Sequence, residues 1–465
     1  MASLFCMPIE LLIHIFSYLD LPSLYHVSLT SKQFNIVSRC LLWESCCERI
    51  INQTVSYRAF LRSILENPNL PHHVKKIRAY YGTSEPRGFQ MPDEADLTLF
   101  QDAIDTLDIP ETSKRGLKDS VQHDHGDPLV AMLLCILPNL QKLIVQCPHR
   151  SDWTEDIIEH AACGDLDVLK SLHTVIIHHN YGDQFEPLQS GLFRVLGVPS
   201  VKSFILTTAY AVCNLEKILP PKSSSVEHIF LILCDMLTAG LHPIIGSSNA
   251  LKTFVFVRSD PGTRELPFNP CDTVQTLHQH RSTLEELTIY LNRGWELVNW
   301  GIPQEDIYIG TGLRDFEQLR ILRCDMVCLL GFDYLADWAD VANYAGEPSA
   351  VGAVSAVPEE QSRNWPALVD ALPRSIETLV IFDATESIMR HLEDIRDVKA
   401  ERFPCLRELV VFFNHVGIPS QLNGKRCREL EIDGVEVTLD CPPNVSRPAE
   451  QNYVYTTFGD FAEQY

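Results

Sequence analysis

A six-residue phrase, apolar-x-x-apolar-x-apolar, recurs ten times between residues 140 and 432. Its first copy is Leu140-Gln141-Lys142-Leu143-Ile144-Val145, and later copies begin at Leu172, Val201, Val226, Leu251, Leu284, Leu319, Ile376, Leu406 and Cys427. Successive starts lie 21 to 57 residues apart. Self-similarity on this scale constrains a fold more than local propensity does: one short repeat cannot bury its apolar side alone, so its neighbours have to stack on it. The uneven period predicts degenerate repeats, with segments such as 188–196 and 209–219 forming helices between them. In three copies an Asn follows the last anchor by three residues, at Asn180, Asn292 and Asn414, and Cys234 takes that place in a fourth.

The phrase resembles the leucine-rich repeat, LxxLxLxxN/C. That resemblance implies one short strand per phrase, with the anchors pointing into a solenoid and the Asn side chain satisfying backbone groups at the turn. Residues beside the anchors then face the concave side of a curved parallel sheet. Seven of the ten central positions there are apolar, among them Phe230 and Val255, and His178, Tyr290, Phe382 and Phe412 flank them. Those six residues are the candidate target-binding set. An open apolar face of that length is a partner site; otherwise a loop or the C-terminal tail, with Tyr453, Tyr455 and Phe458, covers it and the target binds on edges or loops. The 57-residue gap holds the small-residue run 343–363, read as a flexible excursion.

A second constraint sits at residues 8–19. In that predicted helix the polar side chains are Glu10, His14 and Ser17, spaced as one narrow stripe. Ile9, Leu12, Ile13, Phe16 and Leu19 form one apolar stripe, and Pro8, Leu11, Ile15 and Tyr18 a second. A surface helix needs one such stripe, and a unit of about 40 residues is too small to bury two. Asp20-Leu21-Pro22 ends this helix and starts another bearing Leu24, Val27 and Leu29. Thr30 and Gln33 have capping-box spacing before a third, with Phe34, Val37 and Leu41.

Met7-Pro8-Ile9-Glu10, Ile15-Phe16-Ser17-Tyr18-Leu19, Asp20-Leu21-Pro22-Ser23-Leu24, Ser28-Leu29-Thr30-Ser31-Lys32 and Leu42-Trp43 closely resemble the F-box. The family binds a small Skp-type adaptor through a mainly apolar contact, and through it a cullin. Carried over, the implied adaptor contacts are Pro8, Ile9, Leu12, Ile15, Phe16, Leu24, Leu29 and Phe34. An F-box followed by irregular repeats also resembles F-box/leucine-rich-repeat proteins, especially fungal ones with an LLxxLPNLxxL phrase like Leu133-Leu134-Cys135-Ile136-Leu137-Pro138-Asn139-Leu140-Gln141-Lys142-Leu143.

The net charge is -23. Residues 1–80 hold 8 Lys/Arg and 5 Asp/Glu, so residues 81–465 carry -26. Such a body argues against nucleic-acid binding, which needs Lys and Arg against phosphates. The longest apolar run, 129–137, is too short to cross a bilayer. No basic segment precedes an apolar run at the N-terminus, and fifteen scattered Cys read as reduced thiols, so a cytoplasmic or nuclear protein is expected.

Catalytic signals are weak. His123-Asp124-His125-Gly126-Asp127 matches the HxHxD core of metallo-hydrolases, but Pro128 stands where the last His belongs. Cys324 and Cys328 have poor zinc spacing, and no phosphate loop or nucleophile elbow occurs. No catalytic residue, metal or cofactor is assigned.

The expected fold class is α/β, a three-helix F-box at 1–50 and a helical linker at 51–130, followed by a degenerate leucine-rich-repeat solenoid at 131–440 and a tail at 441–465. Within the linker, 95–107 is expected to be helical and 110–128 a polar loop. The implied function is a non-catalytic substrate receptor of an Skp adaptor–cullin–F-box ubiquitin ligase. A scaffold acting without ubiquitination is the alternative, and a metal-dependent hydrolase using the His123 loop a lesser one.

Overall fold

Leu143 of the first phrase lies beside Val175 of the second, in a parallel pairing that runs in register from Lys142 and Thr174 to Gln146 and His178. The computed structural model describes residues 4–47, 57–80, 93–122, 126–146, 152–179, 190–211, 215–258, 268–291, 304–331, 367–385, 387–413 and 430–440. The chain is mixed α/β and divides into two compact units, Met1–Asn180 with Leu188–Phe204, and Tyr181–Pro187 with Ile205–Tyr465.

The first unit opens with three helices, α1 (Ile9–Phe16), α2 (Leu21–Ser28) and α3 (Lys32–Leu42), and then β1 (Ser45–Cys47). After these come α4 (Tyr57–Glu66), β2 (Lys76–Tyr80), α5 (Glu94–Thr106), α6 (Glu111–Val121), α7 (Asp127–Ile136), β3 (Lys142–Gln146), α8 (Asp152–Cys163) and β4 (Thr174–His178). The four strands pair in parallel in chain order. Ile77, Leu143 and Val175 thereby occupy one register row, and all three are buried. Residues Asp127 to Leu134 of α7 are all buried, which is where a helix apolar all round has to sit.

The division between the units falls within β5 (Ser203–Thr207). In the second unit β6 (Tyr210–Ala211) pairs with β7 (His228–Met236). From β7 the parallel pairing passes through β8 (Thr253–Arg258), β9 (Glu286–Tyr290), β10 (Ile321–Asp325), β11 (Thr378–Ala384) and β12 (Glu408–Phe413) to β13 (Glu436–Asp440). Ile229, Phe254, Leu287, Leu322, Leu379 and Leu409 form one buried row, so the fourth position of each phrase is a core anchor. Phe230, Val255, Thr288, Arg323, Val380 and Val410 form the next row. Helices α9 (Thr238–Ser247), α10 (Pro270–Leu277) and Ile388–Arg402 lie between strands in the chain.

The buried thiol of Cys234 donates to Leu206 O (3.4 Å) and Ile232 O (3.5 Å). Burial pushes that thiol up to about 12, so it stays neutral. Asn180, Asn292 and Asn414 lie outside the described residues, as does the excursion at 343–363.

Four expectations are corrected. Residues 76–80, inside the stretch read as helical, form β2; Val74-Lys75-Lys76-Ile77-Arg78-Ala79 carries the phrase itself, one copy earlier than the series was started. Residues 111–121, read as loop, form α6, because Leu117 and Val121 are one turn apart and both bury. Residues 209–219 form no helix among those described: Thr208 takes a positive φ of 51° and Tyr210 then pairs with Asp235. The last strand among the described residues is not at the phrase's Leu430–Ile432 but at Glu436–Asp440, with Val437 beside Leu409, so Thr438 rather than Glu431 stands beside Val410 in the central row. Among the described residues no helix is long and apolar enough to cross a membrane.

Candidate functional site

The three N-terminal helices fold around a small core. Leu12 and Phe16 of α1, Leu24 of α2, and Phe34 and Val37 of α3 are buried together, with Met7, Ile13, Leu19, Val27, Leu41 and Leu42 packed around them. The Phe16 and Phe34 rings meet edge to face at 5.4 Å and 87°, the arrangement their quadrupoles favour. Local signals fix the joints. Asp20 caps α2, accepting from Ser23 N at 2.9 Å, and these hydrogen bonds from Ser23 lower its carboxyl below the usual range. The cap of α3 is Ser31, which accepts from Phe34 N at 3.1 Å; it is not Thr30, whose hydroxyl donates to Val27 O at 2.7 Å. Pro8 stands at the N-cap of α1.

A core this small leaves the second stripe uncovered. Leu4, Ile9, Leu11, Ile15, Tyr18, Leu21, Tyr25, Leu29 and Ile36 are exposed, and they are all of the exposed large hydrophobic side chains among the described residues. The patch is therefore confined to residues 4–36, while the rest of the described chain buries its large apolar groups. The coordinates divide the eight sequence-derived contacts in half. Pro8, Ile9, Ile15 and Leu29 are exposed; Leu12, Phe16, Leu24 and Phe34 form the internal core. Leu11, Tyr18, Leu21, Tyr25 and Ile36 belong to the same exposed surface and were not among the eight. For Leu11 and Tyr18 the signal was present, since both lie on the second stripe of α1.

This helical unit is joined firmly to α4 and β2. Trp43 packs on Phe60 of α4, with ring centroids 5.5 Å apart. Glu44 O accepts from the backbone N–H groups of Lys75 (2.8 Å) and Lys76 (3.0 Å), and its carboxylate pairs with Lys75 Nζ at 3.2 Å. The strand β1 then adds directly to β2.

The candidate target-binding residues lie mostly inside the fold. Phe230, Val255, Tyr290, Phe382 and Phe412 are buried, and His178 is half-buried. Three of them come together: the Tyr290 and Phe382 centroids are 4.8 Å apart, and Phe382 stacks on Phe412 at 5.6 Å. Phe230 and Val255 are register neighbours. Burial, with Arg78 and Lys142 nearby, pushes the His178 imidazole down to about 4, so it is neutral at pH 7. Tyr453, Tyr455 and Phe458 lie outside the described residues.

His123 and His125 also lie outside the described residues. Asp127 does not: it is buried and accepts from Trp153 N (2.6 Å) and Thr154 N (3.0 Å), one bond to each carboxylate oxygen. One lone pair on each oxygen thereby caps the first turn of α8. Cys324 and Cys328 are fully buried neighbours whose thiols burial pushes up. Among the described residues no group of three or more His, Cys, Asp or Glu side chains is arranged to hold a metal ion.

Residues 4–49 match the family model for F-box-like domains, about a tenth of the chain. No curated protein matches the chain.

Proposed function

We propose that this chain, which carries an F-box-like domain at residues 4–49, is the substrate-recognition subunit of an Skp adaptor–cullin–F-box ubiquitin ligase. The observation that carries the reading is the confinement of every exposed large hydrophobic side chain among the described residues to residues 4–36. Their exposures run from 39% for Ile15 to 78% for Tyr18, so burying the remainder yields roughly 1 kcal/mol apiece. Association costs on the order of 4–15 kcal/mol, so nine such groups suffice for a complex only if most are covered at once. An apolar, wide adaptor surface meets that requirement; a small ligand does not.

In this reading Pro8, Ile9, Ile15 and Leu29 touch the adaptor, with Leu11, Tyr18 and Ile36 extending the contact, and the cullin is reached through that adaptor. Residues 131–440 act as a degenerate leucine-rich-repeat solenoid that holds a target protein. No catalytic residue of its own is needed, since the gain is proximity of target to the transferase. His178 is the one member of the candidate target-binding set with partial exposure; the buried Phe230, Val255, Tyr290, Phe382 and Phe412 all belong to the second unit and shape its sheet from within, so they offer a target no direct contact. The working compartment is the cytoplasm or nucleus.

The competing reading is an F-box scaffold that binds the adaptor without directing ubiquitination. Proteins that accumulate on the intact chain when the proteasome is blocked supply the targets to monitor. Their half-lives are then compared in cells carrying the wild type and Ile15→Asp. The ligase reading predicts longer half-lives with the variant; unaltered turnover assigns the scaffold role.

A further inference from the structure

Lys76, Arg78 and Lys142 form a cluster of like charge that no carboxylate among the described residues pairs with. Parallel registration sets Lys76 beside Lys142 and Arg78 beside Ile144. Alternate residues of a strand share a face, so all three cations stand on the face that also carries Ile176 and His178. Neighbouring strands are about 4.8 Å apart and same-face residues about 6.6 Å apart along a strand, close enough for the charges to repel. Both half-buried neighbours register it. Burial, then Lys76 and Arg78, push the Lys142 ammonium down to about 8, and His178 is lowered by burial and by Arg78 and Lys142.

Several cations on the same unit pair with carboxylates: Lys75 with Glu44, Arg58 with Asp96, Lys118 with Asp105 and Arg194 with Glu159. Among the described residues none pairs with Lys76, Arg78 or Lys142, and Arg78 Nε is buried with no hydrogen-bond partner. The chain has 61 Asp and Glu against 38 Lys and Arg, so carboxylates were plentiful. Three half-buried cations without one are costly to the fold, and a bound anion removes the cost.

We infer that this face of β2 and β3 binds an extended acidic segment of the target protein, its carboxylates set at alternate residues against Lys76 and Arg78 and a further one against Lys142. An extended segment repeats side chains on one face every ~6.6 Å, which matches the step from Lys76 to Arg78; one compact oxyanion reaches only part of the cluster. Between the charges Ile144 and Ile176 are buried, so the half-exposed cations themselves make the contact. The inference rests on the proposed role of the repeats in holding a target, and it names the chemistry of that target.

The test is fluorescence anisotropy on the purified full chain, without adaptor. The probes are a labelled peptide with Glu at alternate positions and its Gln counterpart. The Glu peptide is expected to bind, the Gln peptide not, and binding to weaken steeply as salt shortens the screening length. Arg78→Gln and Lys142→Gln are each expected to weaken binding about tenfold or more, while melting no lower than wild type because repulsion is relieved. Lys76→Arg keeps the charge and is expected to bind as wild type does. Equal binding of the two peptides, no binding of either, or unchanged binding by the two Gln variants overturns the inference. Complete displacement of the Glu peptide by millimolar inorganic phosphate at constant ionic strength overturns it too, in favour of a compact oxyanion site. Failure of the receptor reading is separate: it shows as absent adaptor binding by the wild type, which this assay does not involve.

Discussion

Leu12 and Ile15 lie three residues apart on α1, yet Leu12 has no exposed surface and Ile15 keeps 39% of its own. The F-box resemblance implied both as adaptor contacts; only Ile15 is exposed to make one. Leu12→Asp sets an unpaired carboxylate among Phe16, Leu24, Phe34 and Val37. It is expected to cost about 3–5 kcal/mol and unfold the helical unit. Ile15→Asp is expected to stay within about 0.5 kcal/mol of wild type, as surface changes do. Helical circular dichroism and thermal unfolding of the two variants check this pair of outcomes.

His178 makes stability depend on pH in a defined window. Its folded value is about 4 against 6.5 for the free side chain, so the unfolded chain binds the proton first. Stability is therefore lost as pH falls from 6.5 toward 4, by no more than about 3 kcal/mol. Urea midpoints at pH 7.5 and pH 5.5 are expected to differ less in His178→Gln than in wild type. An identical pH dependence in the two proteins contradicts the assignment.

Asp127 is predicted to act as a helix cap. Asp127→Ala is expected to lower stability by about 1–2 kcal/mol, through loss of its bonds to Trp153 and Thr154. Metal analysis of the purified wild type is expected to find far less than one zinc per chain. A stoichiometric zinc that disappears in the variant reverses this and revives the hydrolase alternative.

How much was legible depends on which physical signal each residue carries. The strands at 142–146, 174–178 and 321–325 are a consequence of the anchor spacing, because period-two apolar positions have one way to bury. The same signal stood at Val74, Ile77 and Ala79, where surrounding helical periodicity masked it. Thr30 and Ser31 show the limit of cap prediction: adjacent hydroxyl residues offer the same chemistry, and the φ of -158° at Ser31 decides. Pro8 and Ile15 stood apart from Leu12 and Phe16 on the second stripe, but the division of Ile9 from Leu12 was not readable, since they share a stripe and only the packing of α2 and α3 separates them. The charge cluster was invisible for the same reason: Lys76 and Lys142 are 66 residues apart until β2 pairs with β3.

The central claim is that the exposed apolar surface of residues 4–36 docks an adaptor. Isothermal titration of a purified Skp-type adaptor into the full chain tests it, with Ile9→Asp and Ile15→Asp beside wild type. The account predicts one adaptor per wild-type chain and at least a hundredfold weaker binding by each variant, with melting temperatures unchanged. Wild-type affinity in both variants, or no binding by the folded wild type, contradicts it.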